Sequence, residues 1–167
     1  MNPELTLLQS LGLEVWTVHT VQFSNHRGYG DWKGQVFSAQ HITDLIQGLE
    51  AQGLAEKCDG ILSGYIGDRS IGKVIINTVE RFKKINPNLF YLCDPVMGSN
   101  DHKRCFVQED IPPFFKEYLS VADIITPNHF EAEMLYGAKI NNTQQLKQAA
   151  YFFHQQGIKT VMVTDLQ

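Results

Sequence analysis

The sequence has no cysteine pairing pattern. Cys58, Cys93 and Cys105 are odd in number and far apart, and no C-x-x-C string occurs, which excludes a disulfide framework and a thiolate zinc site. Cys93 lies inside an apolar run and reads as a small buried hydrophobe. The histidines, His19, His26, His41, His102, His129 and His154, show no i, i+4 pairing of the metalloprotease kind. Basic residues are outnumbered, 14 Lys and Arg against 18 Asp and Glu, so there is no basic stripe for nucleic acid and no polybasic segment for a membrane surface. No apolar run approaches the roughly 20 residues of a membrane span. The first twelve residues lack the basic and small-residue flanks of a secretion signal, so the expected location is cytoplasmic. Repeats, low-complexity tracts and linkers are also missing. What remains is 167 residues, 43% apolar, expected to form one domain over 1–167.

The stretch Leu89-Phe90-Tyr91-Leu92-Cys93-Asp94-Pro95 stands out. An unbroken run of large apolar residues predicts a strand buried on both faces, as in the middle of a parallel sheet. Asp94 then falls at the carboxyl end of the strand, the edge where open α/β sheets bind ligands. A carboxylate there can hold a hard cation such as Mg²⁺. It can equally open a turn, since Asp-Pro does so commonly.

Around this strand the chain alternates. Asn2-Pro3-Glu4 opens a helix striped by Leu5, Leu8 and Leu11 and closed by Gly12. Leu13 to Val18, rich in Val, Trp and Thr, predicts a strand. From Thr20 to Gly34 periodicity is lost among glycines and aromatics, a composition that suits either a lid over a planar ligand or, the reading favoured on composition, a β-hairpin with aromatic packing. Ser38 caps a helix through Ile42, Leu45, Ile46 and Leu49. Ile61 to Tyr65 is a strand that delivers Tyr65 to the same edge as Asp94. A helix from Ser70 to Ile85 is stopped by Asn86-Pro87. Cys105-Phe106-Val107 is an edge strand or turn arm, and Pro112-Pro113 opens a further helix. Ala122 to Thr126 is a short buried strand ended by Pro127. The helix that follows begins Asn128-x-x-Glu131, a spacing that suits phosphate and its Mg²⁺ at a helix start, and equally a reciprocal cap. A helix from Asn142 to Gln156 and a strand Thr160 to Thr164 complete the chain. The pattern predicts an α/β fold, a three-layer α/β/α sandwich with a mostly parallel sheet, incomplete at both ends.

Four strings, in order, resemble the pyridoxal kinases of the ribokinase-like superfamily. They are Val21-Gln22-Phe23-Ser24-Asn25-His26 with Gly28-Tyr29 and Trp32-Lys33-Gly34-Gln35-Val36; Ser63-Gly64-Tyr65; Cys93-Asp94-Pro95-Val96-Met97-Gly98; and Ala122-Asp123-Ile124-Ile125-Thr126-Pro127-Asn128-x-x-Glu131-Ala132-Glu133. The resemblance implies ATP-dependent phosphorylation of the 5′-hydroxymethyl of pyridoxal, pyridoxine or pyridoxamine, chemistry that is mostly positioning and charge neutralisation. It places Asp94, Thr126 and Glu131 at the cations bridging the ATP phosphates, Asn128 on phosphate and Thr164 near the nucleotide. Val21, Phe23 and Tyr65 would hold the vitamin ring, Arg27 would adjoin it, and residues 20–37 would form the substrate loop and lid. ATP and Mg²⁺ are the implied cofactors, with a monovalent cation left open, and a homodimer is the implied assembly.

Three departures accompany the resemblance. Arg27 stands where the family has Thr, a larger and cationic group in place of a hydroxyl. The family's opening strand and its C-terminal Gly-x-Gly-Asp anion hole with the catalytic aspartate have no counterpart. Gly28-Tyr29-Gly30-Asp31 matches that string literally, but Trp32-Lys33-Gly34 is no helix opening, and the motif needs helix N–H groups behind its glycines. Asp31 is therefore a lid residue and no catalytic residue is assigned. The expectation is a kinase by family that does not turn over alone; the alternative is a non-catalytic nucleotide-binding or kinase-partner module. A flavin-binding or receiver-like domain would need a phosphate loop or acidic pocket near a first strand, which is missing.

Overall fold

The computed structural model describes residues 3–26, 30–99 and 104–166, without the side chains of residues 3, 4 and 104. Asn2, Arg27, Gly28, Tyr29 and His102 lie outside the described residues.

In chain order the elements are α1 (Pro3–Ser10), β1 (Val21–Phe23), β2 (Gly34–Val36), α2 (Ala39–Glu50), α3 (Leu54–Lys57), β3 (Gly60–Ser63), α4 (Arg69–Ile85), β4 (Phe90–Cys93), β5 (Gly98–Ser99), β6 (Arg104–Cys105), α5 (Ile111–Tyr118), a 3₁₀ turn (Leu119–Val121), β7 (Ile124–Ile125), α6 (His129–Tyr136), α7 (Thr143–Gln155) and β8 (Thr160–Val161). The helix signals act where the sequence puts them. Ser38 Oγ accepts from His41 N at 3.1 Å to start α2, and Asn142 Oδ1 accepts from Gln145 N at 2.9 Å to start α7. Asn86 ends α4 behind Lys83 and Lys84 in its last turn.

The sheet runs β3-β4-β7-β8, parallel throughout. Register sets Ser63 beside Cys93 and Cys93 beside Ile125, so Ser63, Tyr91, Cys93 and Ile125 share one face. That face is buried in a core with Val79, Phe114, Phe115, Ala132, Ala149 and Phe153. Its polar groups satisfy each other, Ser63 Oγ lying 2.7 Å from Tyr91 Oη. Burial pushes the Cys93 thiol up to about 12, consistent with an inert packing residue.

Two expectations fail. Residues 13–18 form no strand. β-propensity expresses itself only against a paired neighbour, and β3, the near edge of the sheet, pairs with β4 alone. The apolar run at 89–93 is not buried on both faces: Tyr91 and Cys93 are buried, but Phe90 is 45% exposed and Leu92 half-buried. Among the described residues α2 and α3 pack on α4, and Phe90 and Leu92 are less covered than Tyr91 and Cys93.

At the amino ends of the strands, Asp123 collects partners from α4, from β4 and from the residue before β8. Its Oδ2 accepts from Tyr91 N at 2.9 Å and pairs with Lys83 Nζ at 2.7 Å; its Oδ1 pairs with Lys159 Nζ at 2.8 Å. Burial alone would raise this carboxyl, but Lys159, Lys83 and the Tyr91 N–H outweigh it and hold it at about 2.

Candidate functional site

The opposite rim gathers the residues singled out in the sequence. Tyr65 follows β3, Asp94 β4, Thr126 β7 and Thr164 β8. Backbone bonds stitch them in a row: Asp94 N donates to Ser63 O at 2.8 Å, Thr126 N to Cys93 O at 3.2 Å, and Thr164 N to Pro127 O at 3.0 Å. A further bridge joins Asn128 and Thr164.

At Asn128 both readings of the sequence meet. The reciprocal cap is formed: Asn128 Oδ1 accepts from Glu131 N at 2.9 Å, and Glu131 Oε2 accepts from Asn128 N at 2.9 Å. Glu131 also reaches out of its helix. Its Oε1 accepts from Met97 N at 2.8 Å and from Gly98 N at 3.4 Å, while Asn128 Nδ2 donates to Gly98 O at 2.8 Å. One carboxylate, 3% exposed, thus fastens the turn after Asp94 to the start of α6. Burial, and secondarily the negative charge of Asp94, raise the Glu131 carboxyl to about 7 against the three N–H groups that favour its ionised form. Asp94 and Glu131 are therefore electrostatic neighbours.

β1 and β2 pair antiparallel, as in the hairpin that the composition favours, with Val21 paired to Val36 and Phe23 to Gly34. Phe23 packs on Trp32 at 4.3 Å between ring centroids and meets Tyr65 edge-on at 6.0 Å. Thr20 Oγ1 donates to Tyr65 O at 2.6 Å. From the other side the β5–β6 arm brings Phe106 to His26 at 5.4 Å, so two arms meet over one rim. Asp31 is exposed and Gly34 opens a strand rather than a helix, in keeping with its place in the loop. Arg27 lies outside the described residues.

Gly67 is where the hairpin rests on the body. Its φ is +74°, and a Cβ there would lie 2.8 Å from Val21 Cγ1 and 2.9 Å from Val36 Cγ1. Gly67→Ala combines left-handed backbone strain with a clash. It is expected to cost about 2 kcal/mol, read as a lowered unfolding midpoint with faster amide exchange in β1 and β2.

The donor set at the rim is oxygen: Asp94, Thr126, and Glu131 behind them. Among the described residues no group of three or more His, Cys, Asp or Glu forms a metal cage. One or two carboxylates without a full cage fit Mg²⁺, which keeps its waters and completes its shell with substrate phosphates. Sequence reasoning did not find the reach of Glu131 to Met97 and Gly98, nor the bond from Thr20 to Tyr65. Both span more than 30 residues and leave no local pattern.

Comparison with known proteins shows the family. The family profile described as phosphomethylpyrimidine kinase matches residues 9–166. A pyridoxal kinase of Corynebacterium diphtheriae is 46% identical over 161 residues, 96% of this chain and 56% of that protein. The solved pyridoxal kinase of Leishmania donovani in complex with ADP and pyridoxamine superposes with a TM-score of 0.86 at 33% identity, covering 92% of this chain and 53% of its own. The pyridoxal kinase of Entamoeba histolytica superposes at 0.91 with 28% identity, covering 98% and 58%. The chain spans about half the length of the relatives it matches. No helix among the described residues is long and apolar enough to cross a membrane. An α/β fold with a parallel sheet and a match over nearly every residue together mean that the chain belongs to the phosphomethylpyrimidine kinase family, in which it resembles the pyridoxal kinases.

Proposed function

We propose that this chain forms the vitamin-binding and cation-binding half of a cytoplasmic pyridoxal kinase, an enzyme that moves the γ-phosphoryl group of ATP to the 5′-hydroxymethyl of a B6 vitamer. The observation that carries the reading is the fastening of the 97–98 turn to α6 by Glu131 and Asn128, at the rim that also holds Asp94 and faces the aromatic hairpin. Val21, Phe23 and Tyr65 hold a flat heteroaromatic ring, and residues 20–37 shield it from water. Asp94 and Thr126 hold Mg²⁺, whose charge offsets that of the phosphates. Asn128 and Glu131 are positioning residues: their side-chain bonds go to backbone, and they act through the turn and helix start that they fix. Thr164 flanks the nucleotide at the end of the row. No residue of this chain is assigned as the catalytic base.

Equilibrium titration tests this. ATP is expected to bind only with Mg²⁺ present, and Asp94→Ala to weaken that binding tenfold or more, about 1.4 kcal/mol. Phe23→Ala is expected to weaken pyridoxal binding while leaving MgATP binding unchanged. Magnesium-independent ATP binding, or an Asp94→Ala variant that binds as tightly as the parent, overturns the cation site.

A further inference from the structure

The pair β1 and β2 is a sheet of its own, hydrogen-bonded to no strand of the β3-β4-β7-β8 sheet among the described residues. No strand ladder therefore holds the hairpin against the rim. Thr20, the residue before β1, makes two bonds at its foot. Its carbonyl accepts from Phe37 N at 3.0 Å, which closes the base of the hairpin just past β2. Its half-buried hydroxyl donates to Tyr65 O at 2.6 Å, 45 residues away in sequence. One residue thus joins both arms of the hairpin to the segment that carries Tyr65.

The other contacts at this joint are of a different kind. Val21 and Val36 rest on Gly67, and apolar contact of that sort has no preferred direction. A hydrogen bond fixes both distance and angle. On the rim side, Gly64 has nothing among the described residues within 4 Å of where a Cβ would stand, so no side chain at 64 braces the backbone leading into Tyr65. The rings that face each other across the joint, Phe23 and Tyr65, meet edge-on at 6.0 Å. Their mutual angle follows from how their backbones are joined, and Thr20 joins them. Its single hydroxyl hydrogen is committed to Tyr65 O, so the group does not donate to a ligand and acts through Tyr65.

We propose that Thr20 is a positioning residue of the ring subsite, an assignment that rests on the reading of this chain as the vitamin-binding part of a pyridoxal kinase. Its hydroxyl latches the hairpin to Tyr65 and sets the angle of the Phe23 and Tyr65 rings that a flat heteroaromatic ligand meets. The cation side is fixed separately. Asp94 N donates to Ser63 O at 2.8 Å, before the chain reaches Gly64 and Tyr65, so loss of the latch reaches one ligand and spares the other.

The test titrates pyridoxal and MgATP separately against the full chain and its variants, with thermal melts to verify that each is folded. Thr20→Val keeps the branched shape and removes the hydroxyl, whereas Thr20→Ser keeps the hydroxyl. Thr20→Val is expected to weaken pyridoxal binding about fivefold, the effect of one neutral hydrogen bond, with MgATP binding unchanged and Thr20→Ser close to the parent. In the ligand-free protein the ring-proton resonances of Phe23 and Tyr65 are expected to move in Thr20→Val and to return in Thr20→Ser. Thr20→Ala, which adds no bulk, is expected to repeat the pattern should valine disturb the packing. Equal losses for pyridoxal and MgATP, or a serine variant as weak as valine, overturn the proposal. A parent that binds pyridoxal, with Thr20→Val equally tight, overturns the latch and leaves the ring subsite standing. A parent that does not bind pyridoxal overturns the ring subsite and the latch with it.

Discussion

Replacing Glu131 with alanine is expected to lower the free energy of unfolding by about 3–5 kcal/mol, because it strips the acceptor from buried N–H groups that have no other partner of comparable geometry. Met97 and Gly98 are themselves buried, so water cannot substitute. The effect should not stop at stability. With the turn released from α6, Asp94 loses its fixed position, and magnesium-dependent ATP binding should fall with it. Glu131→Gln separates the two components. Its single amide oxygen can still serve Met97, but its NH₂ would face the N–H of Asn128, donor against donor, so the cap is lost and the turn is kept. Denaturant unfolding should rank the proteins wild type, then Gln, then Ala, and binding of MgATP should fall in the same order. An alanine variant as stable as wild type would show that the carboxylate holds nothing.

The second large effect lies at the other end of the strands. Asp123→Ala leaves Lys83 half-buried without its carboxylate and Tyr91 N without its acceptor, an expected loss of about 2–4 kcal/mol. Asp123→Asn should cost less, since an amide oxygen can still accept from Tyr91. The carboxyl also confers an acid dependence. Its folded value, about 2, is below the unfolded value of 3.8. Between those values the unfolded chain binds the extra proton, so this contribution is complete above pH 4 and is lost as the pH falls toward 2. The shift corresponds to about 2 kcal/mol, reduced by solvent screening at Lys159, which is 77% exposed. Unfolding free energies measured from pH 5 to pH 2 should decline in wild type, and the decline should be shallower in Asp123→Asn. Parallel slopes would mean that another group carries the acid dependence. Glu131, raised to about 7 from 4.5, works in the opposite sense and in a separate window: its effect is to lower stability as pH rises from 4.5 to 7.

These two residues mark the boundary of what the sequence discloses. Local signals were legible. Ser38, Asn128 and Asn142 cap the helices they precede, Gly12 and Gly157 take positive φ where helices end, and Tyr65, Asp94, Thr126 and Thr164 stand at the strand ends where alternation of elements placed them. The hairpin followed from lost periodicity and its glycines. What stayed hidden depends on contacts distant in sequence. Asp123 is 40 residues from Lys83 and 36 from Lys159, and only the register of β4, β7 and β8 brings them together. Glu131 looked like a local cap because the cap is local; its grip on Met97 needs the helix to start beside the β4 turn. The supposed strand at 13–18 failed for the converse reason. Val, Trp and Thr satisfied the local rule, and no neighbour among the described residues completes it.

The order of strands across the sheet is also their order along the chain. Each strand can therefore dock on one already made, so the sheet can be laid down from β3 to β8 as the polypeptide leaves the ribosome, with no early strand waiting on a late one for its neighbour. Mispairing is then confined to the growing edge, where each crossover helix arrives just before the strand it delivers.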